Sequence, residues 1–582
     1  MSFIKDQEQK IKKIISNLGY EIAEISLNVS SKKELGDYQY NGAMGIAKKY
    51  RQNPLEVAKN IKSYLDKDPD FINVNIAGPG FINLSFSKES LINYMNILTK
   101  DLTININLEK PKNILFDYGG ANAAKALHVG HLRSANIGEA LKRLAKALGH
   151  NVISDVHLGD LGRQIAMVIY ETKIRQPNLI YFNDNYQGPY PKESPLTEKD
   201  LEEYYPIASE KAKNNADILE EVRLIDAALQ KGHPGYNALW DHVINVSTIQ
   251  IKKIYDKFNT SFDLWEGEKD SLNYIEETLT KIKESGLAYL DQGAMIIDVQ
   301  EDSDKNKIPP FILLKSDGTT LYSTRELATL YSRIKRFTLD EIWYLTDSRQ
   351  ELHFKQTFRV AYKTNLVPKN IHLKFLGFGT MNSTDGTPFK TRDGSVMKLN
   401  DLFELVNKET YHRLGNNISD SEKDSISEKV AIAAIKYADL LPSVSKDYIF
   451  DPIKFSDMEG KTGPYLLYST IRIKSLLTKG EYHLLKDSKI RDIFNEEDKE
   501  IILEILNMPT ILSNAYYAKS LNEICDYLYR LNNTYNNFYA SHKILTEEDE
   551  YKRNSWLTLS NLVYNINILL LDILAIEIPN KI

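Results

Sequence analysis

The stretch that most limits how this chain can fold runs from Asn113 to Ser134 and reads Asn-Ile-Leu-Phe-Asp-Tyr-Gly-Gly-Ala-Asn-Ala-Ala-Lys-Ala-Leu-His-Val-Gly-His-Leu-Arg-Ser. An apolar run, Ile114, Leu115 and Phe116, stops at Gly119-Gly120, and apolar residues then recur at 137, 141, 144 and 148 before Gly149. That spacing predicts a strand, a loop and an amphipathic helix closed by glycine. A strand that opens through a glycine-containing loop onto a helix N-terminus is a natural nucleotide site, because free helix N–H groups and the helix dipole favour phosphate. His128, Gly130 and His131 fall at that spot.

A chain of 582 residues is too long for one ordinary domain, so two to four domains are expected, each able to bury a core. With a formal net charge of −6 the molecule is no polycation, and a nucleic-acid partner would have to be met by local basic patches. The single cysteine, Cys525, excludes an internal disulfide and a cysteine metal cluster, which suits a reducing compartment. It lies in an apolar helical pattern and reads as a small core residue. The N-terminus has no apolar signal region. The longest apolar stretch, Ile566 to Ile578, is broken by Asn567, Asp572 and Glu577 and is short for a bilayer span. These features predict a soluble cytoplasmic protein without a membrane partner.

Along the chain, residues 1–95 combine a helical pattern (Ile11, Ile14, Ile15, Leu18) with alternating residues around Gly78-Pro79-Gly80, the pattern of a small α+β domain with a hairpin. A charged, Asn-rich linker follows. Residues 112–400 alternate strand-like runs with helices, the mark of an α/β domain on a Rossmann-type parallel sheet. Its second strand, from Asn151, ends in His157, Gly159 and Asp160, where side chains face the ligand crevice of an open sheet. Polar helical sequence at about 174–260 reads as an insertion, and the sheet pattern resumes after Phe262-Asp-Leu-Trp265. The loop Asn382 to Ser395 carries Lys390 and Arg392, which can reach phosphate. Residues 401–455 read as a helical connector and 456–582 as an all-α helical bundle, strands being absent from about 420 onward. Its aromatics, among them Tyr465, Tyr468, Tyr527, Tyr529, Tyr535, Phe538 and Tyr539, are expected to be mostly core.

His128 and His131 are three residues apart, whereas a helical zinc pair is usually spaced by four and joined by a carboxylate. Two imidazoles at a helix start can instead aim N–H donors, neutral or charged, at a phosphate passing through a charged transition state. Gly130 between them leaves room for flat contact with an adenine. Alone, His-x-Gly-His is a weak signal, equally compatible with a structural role.

It is not alone. Asn122-Ala-Ala-Lys-Ala-Leu-His-Val-Gly-His-Leu-Arg-Ser134 and His157-Leu-Gly-Asp-Leu-Gly-Arg-Gln164 resemble the signature of the class I aminoacyl-tRNA synthetases, and specifically the arginyl-tRNA synthetase family. Phe262-Asp-Leu-Trp-Glu-Gly-Glu268, Ser316 to Ala328, Gln350-Glu-Leu-His-Phe354, Thr387-Pro-Phe-Lys-Thr-Arg392 and Glu459-Gly-Lys-Thr-Gly-Pro-Tyr465 follow in that family's order. Gly36 to Asn41 and Gly78 to Asn83 resemble its N-terminal add-on domain, so the likeness spans nearly the whole chain.

The resemblance implies an ATP-dependent ligase that joins L-arginine to tRNA(Arg) through an arginyl-adenylate, with Mg2+ accompanying ATP and the chain acting as a monomer. His128, Gly130, His131 and Lys390 would bind ATP. Asp117, Asn122, His157, Tyr322, Glu326 and Gln350 would hold arginine, the carboxylates meeting its positive ends. Lys390 and Arg392 occupy the place of the usual lysine-methionine-serine-lysine loop, whose second lysine has no clear counterpart; Lys125 could supply that charge or be a plain solvated residue. Phe81 would stack on, and Asn83 hydrogen-bond to, an unpaired tRNA base, while the helical end would read the anticodon. Ala121 stands where proline is common, Glu326 where aspartate is, and the chain ends Pro579-Asn-Lys-Ile582 rather than Pro-Glu-Arg-Met. Two other readings stay open: a diverged, non-catalytic copy that binds tRNA for regulation, and a small-molecule nucleotidyltransferase sharing the histidine motif.

Overall fold

The computed structural model describes residues 2–30, 32–103, 106, 110–389, 397–415, 418–485 and 487–582. It divides into two compact units, one of Met1–Glu109, Met458–Ile573 and Ile578–Ile582, the other of Lys110–Asp457 and Leu574–Glu577.

The larger unit is built on a four-stranded parallel sheet in the order His372–Phe378, Glu341–Asp347, Asn113–Asp117, Asn151–Asp155. Ile114, Leu115 and Phe116 are fully buried, as a parallel strand covered on both faces requires. Register decides the chemistry at the carboxyl edge: Asp117 lies opposite Asp155 on one side and Tyr344 on the other, so two carboxylates end adjacent strands at one level. The signature helix, Val129–Ala147, follows the first strand and is buried on nearly every face, charged residues included. Its Glu139 is satisfied internally by the Tyr118 hydroxyl at 2.8 Å, Lys142 Nζ at 2.7 Å and Arg143 Nε at 2.7 Å. Gly138 is needed there, because a Cβ would meet the Tyr118 ring at 2.2 Å.

The insertion is helical, with Glu198–Asn214, Ala216–Gln230 and Pro234–Lys257 forming a core of their own with Arg163–Arg175. The last of these helices returns to the sheet edge, where Ser247 Oγ accepts from Ala124 N at 2.9 Å and the Tyr255 hydroxyl donates to Gly119 O at 3.0 Å. After Trp265 the strand pattern first enters a separate antiparallel sheet of Ala288–Asp291, Ala294–Ile297 and Phe311–Leu314, not the main one. The cause is local: Gln292 and Gly293 both take positive φ, +47° and +84°, the tight turn that pairs neighbouring strands. The helices Leu399–Arg413 and Asp420–Leu440 pack against the signature helix through Leu402, Val406, Ala431 and Ile435. Strands do not end at 420, since Tyr448–Ile449 pairs in parallel with Met381–Asn382.

The smaller unit joins the two ends of the chain. An antiparallel sheet in the order Leu27–Val29, Tyr38–Tyr40, Phe81–Phe86, Phe71–Ala77 turns its hairpin at Gly78 and Gly80, with φ of +54° and +129°. It shares the unit with the C-terminal helices Gly463–Lys479, Glu496–Ala518, Asn522–Ser541 and Glu550–Ile573. The Tyr38 hydroxyl donates to Asn507 Oδ1 at 2.7 Å, and Lys499 Nζ pairs with Asp37 at 2.7 Å. Glu550–Ile573 is long and apolar enough to cross a bilayer, but 67% of its apolar window is buried, with Leu562, Ile566 and Leu570 wholly inside; it is a core helix. Tyr527, Tyr535, Phe538 and Cys525 are core as expected, whereas Tyr468 is exposed.

Candidate active site

The two histidines open the signature helix as each other's caps. His128 Nδ1 accepts from Gly130 N at 3.0 Å, and His131 Nδ1 accepts from His128 N at 3.1 Å. A ring nitrogen that accepts an amide proton carries none itself, so each neutral imidazole has its proton on Nε2. Burial pushes His131 down to about 3, with further help from His128 and Lys125, and burial lowers His128 as well. The pair therefore presents two neutral Nε2–H donors with ring centroids 3.9 Å apart. Gly130 cannot be larger, because a Cβ would press on the His128 ring at 2.9 Å.

Beside them lies a cavity of about 430 Å³ lined by His128, Gly130, Arg133, Asp347, Arg349, Phe378, Gly379, Thr380 and Phe389. Its floor rests on Arg133, a fully buried side chain. Arg133 Nη1 donates to Gly379 O at 2.9 Å and to Lys446 O at 3.0 Å, while Nε pairs with Asp439 at 3.1 Å. The Tyr448 hydroxyl, at 2.9 Å, and Asn136 Nδ2, at 3.1 Å, also donate to Asp439. Neither Arg133 nor Asp347 nor Arg349 was singled out from the sequence; the only available signal was Arg133 inside the signature itself. Lys390 and Arg392 lie outside the described residues. Lys125 sits 4.9 Å over the Tyr205 ring, on the insertion, so it has a packing role in addition to its charge.

At the carboxyl ends of the first two strands is an acidic pocket. Asp117, Asp155 and His157 bring ligating atoms within 4.8 Å of one another, a spacing that could hold a metal. The cation there is the chain's own: Arg333 Nη2 lies 2.7 Å from Asp117 and 2.6 Å from Asp155, fully buried, and Nη1 reaches the Tyr344 hydroxyl at 3.2 Å. Burial opposes the charge on Arg333, but Asp117, Tyr344 and Asp155 outweigh it. Sequence reasoning missed Arg333, so the expectation for Asp117 is sharpened: one of its oxygens already serves an internal guanidinium. Glu326, on the helix Tyr322–Arg336, is 2% exposed, and its Oε1 has no hydrogen-bond partner. Burial raises its carboxyl above the ordinary range. His157, at φ +40°, likewise leaves Nδ1 buried without a bond. Tyr322 is half-exposed at the rim, its ring 5.1 Å from that of His353, and Gln350 is exposed on the turn after Asp347. Asn122 bridges to Gly159, where a Cβ would collide with Asn122 Oδ1 at 2.2 Å. Ala121, unexplained in the sequence, is fully buried and its carbonyl accepts from Gly159 N at 2.8 Å, so a small residue fits there.

Three family models cover the chain: the catalytic domain of class I tRNA synthetases (R) over residues 93–452, the arginyl tRNA synthetase N terminal domain over 5–86, and the DALR anticodon binding domain over 466–582. An arginine--tRNA ligase of Alkaliphilus oremlandii is 43% identical over 582 residues, covering 99% of both chains. The chain belongs to the arginyl-tRNA synthetase family. An arginine--tRNA ligase of Francisella tularensis subsp. novicida is 38% identical over 98% of both. The crystal structure of the arginyl-tRNA synthetase of Plasmodium falciparum superposes with a TM-score of 0.82 at 24% identity, over 100% of this chain and 99% of that one. That of Thermus thermophilus gives 0.78 at 18%, over all of both chains, and these two show the fold.

Two further surfaces lie in the domains that this family adds to the catalytic one. In the region matching the arginyl-tRNA synthetase N-terminal domain, Phe81 is half-buried at the end of its strand. Asn83 is fully buried, and its Oδ1 accepts from Gln39 Nε2 at 2.8 Å. An amide with no exposed surface cannot meet a base directly, which corrects the expectation for Asn83 and leaves Gln39 as the reachable amide beside it. In the region matching the anticodon binding domain, a cavity of about 580 Å³ is lined by Tyr468, Arg472, Lys474, Lys479, Tyr539 and Ile582 among others. Arg472 stacks 4.1 Å over the Tyr539 ring, and Tyr468 is 46% exposed.

Proposed function

We infer that the chain ligates L-arginine to tRNA(Arg) in two ATP-driven steps. The observation that carries this is the presence, in one unit, of two fixed Nε2–H donors and a buried carboxylate, Glu326, whose Oε1 accepts no hydrogen bond. A buried unpaired carboxylate costs stability unless a ligand completes it, and a guanidinium, which offers paired donors, is the ligand it fits. Arginine would lie with its guanidinium on Glu326, its stem along Tyr322 and its α-ammonium toward the free side of Asp117, with Asn122, His157 and Gln350 completing the pocket. ATP would occupy the cavity beside the histidines, its adenine over Gly130.

In the first step a carboxylate oxygen of arginine attacks the α-phosphorus, the bond to the β-phosphate oxygen breaks, and pyrophosphate leaves. The His128 and His131 Nε2–H groups donate to the phosphate oxygens as charge builds on them, without a proton changing hands. Lys125, Lys390 and Arg392 add positive charge to the leaving pyrophosphate. Magnesium would arrive with ATP and offset the charge of its phosphates; Asp347 is the carboxylate that lines the cavity, and it is already paired with Arg349 at 2.6 Å. In the second step a hydroxyl of the terminal tRNA ribose attacks the arginyl carbonyl and AMP leaves.

The tRNA would be held by Phe81 stacking on an unpaired base, backed by Gln39 and Asn83, and by the Tyr468–Arg472–Tyr539 cavity at the anticodon. The chain would act as a cytoplasmic monomer. A non-catalytic copy would have no need of two donors fixed by backbone amides. Pyrophosphate exchange into ATP tests the reading: exchange should require arginine and tRNA(Arg) together. Absence of exchange under every condition, or exchange driven by a different amino acid, would overturn it.

A further inference from the structure

The arginine pocket contains more negative charge than its own cation balances. Asp117 and Asp155 at the strand ends and Glu326 on the facing helix are three carboxylates, Asp155 and Glu326 buried and Asp117 half-buried, and Arg333 is the one guanidinium that the described residues bring among them. His157 stands in the same space. Its backbone N–H donates to Asp155 Oδ1 at 3.2 Å, its Nδ1 lies 4.0 Å from Asp155 Oδ2 and has no hydrogen bond, and Glu326 Oε1 is likewise unbonded. His157 holds a positive φ of +40°, a strained conformation for a non-glycine residue of the kind that gathers at functional sites. Two unsatisfied buried groups of opposite polarity in one acidic cavity are the arrangement expected of a site that holds a temporary cation when its ligand is away.

We propose that His157 is that temporary cation: in the free enzyme its imidazolium balances the carboxylates, and the incoming arginine guanidinium displaces its proton to solvent. The inference rests on the arginine pocket described above and adds a proton to its binding equilibrium. The carboxylates facing His157 all favour its charged form, and among these neighbours Arg333 alone opposes it. Burial favours the neutral ring, but Asp117 from the first strand, Glu326 from the helix and Asp155 from the second strand outweigh burial and the opposing Arg333, so His157 is held above the ordinary histidine value. Asp160, on the loop after His157, interacts with it in the same sense. A second fixed guanidinium in the pocket reverses that balance and drives the proton off.

The sign follows. Below the raised free-enzyme value the ring must lose its proton for arginine to bind, so affinity rises with pH, by up to about tenfold per unit, and levels off above it. The device also favours charged ligands. L-citrulline, with a neutral head of similar shape, cannot expel the proton and leaves its own uncharged end against Glu326.

The test is calorimetric titration of L-arginine into the full chain at pH about 6.5, the ordinary histidine value, in phosphate and in Bis-Tris, whose ionisation heats differ. The slope of observed heat against buffer heat counts protons. Release approaching one proton per arginine is expected, falling toward zero at higher pH, and His157→Gln should bind arginine with no release and a flat pH dependence. Wild-type binding without release, or undiminished release from His157→Gln, overturns the proposal alone, the latter by making Glu326 or Asp117 the source. The wild-type measurement stands even if the variant does not fold. A wild-type chain that binds no arginine overturns the pocket itself, and the proposal with it.

Discussion

Replacing Arg133 with methionine tests whether the floor of the cavity beside the histidine pair, the proposed ATP site, is held by one buried guanidinium. The substitution keeps most of the volume and removes the ion pair to Asp439 at 3.1 Å together with the bonds to Gly379 O and Lys446 O. Breaking a buried pair by removing one partner costs about 3–5 kcal/mol. Asp439 keeps the Tyr448 hydroxyl and Asn136 Nδ2, which places the cost at the lower end, about 3 kcal/mol, or roughly a hundredfold in a local opening equilibrium. The loss falls on a particular backbone segment. Thr380 N donates to Asp447 Oδ1 at 2.6 Å, Tyr448 N to Thr380 O at 3.0 Å and Phe450 N to Asn382 O at 2.9 Å, and all three bonds join the two strands that Arg133 straps together. Hydrogen–deuterium exchange should therefore speed about a hundredfold at Thr380, Tyr448 and Phe450 while the strand Asn113–Asp117 is unaffected. In steady-state kinetics KM for ATP should rise and KM for arginine should not, because the acidic pocket shares none of these bonds. Unchanged exchange at these amides, or an arginine KM that rises as steeply as that for ATP, would refute the reasoning.

His131→Ala should lower the activation rate about a hundredfold, the usual effect of one transition-state donor, and an unchanged rate in pyrophosphate exchange would make the ring purely structural. The same residue ties stability to pH. Its folded value, near 3, lies below the unfolded value of about 6.5, so the unfolded chain binds the extra proton, and stability complete above about 6.5 is lost as pH falls toward 3. Thermal denaturation of His131→Gln should accordingly be less sensitive to pH between about 5 and 7 than the parent, and equal sensitivity would exclude a buried neutral ring. Tyr468→Ala removes one stacking face from the C-terminal cavity and should raise KM for tRNA about tenfold or more; calorimetric affinity for arginine should stay the same, and a fall in it would place Tyr468 outside the tRNA surface.

Part of the candidate site is local enough to be read without the fold, and the residues show why. His128, Gly130 and His131 sit within one helix turn, and Glu326 follows Tyr322 by four residues on one helix, so local spacing is enough to place them. The partners that make these groups work come from far along the chain. Arg333 meets Asp117, Arg133 meets Asp439 and Gly379, and Gln39 meets Asn83, and no periodicity announces such pairs. Asn83 shows the converse error: its place in the motif pointed to the tRNA, and its burial turned it inward.

The sequence by itself determined the parallel sheet, the helical insertion, the all-α end and the strand, loop and helix that carry the histidine pair, because strand and helix periods, glycine breaks and helix caps are local properties of a chain. Only the tertiary structure decided the charge state of the site. The parallel register sets Asp117 beside Asp155, Arg333 arrives between them from a later helix, and burial then fixes the histidine pair as neutral and leaves Glu326 Oε1 without a hydrogen bond. Burial and register are properties of packed elements, and electrostatic energies depend on distance and desolvation far more steeply than on residue identity.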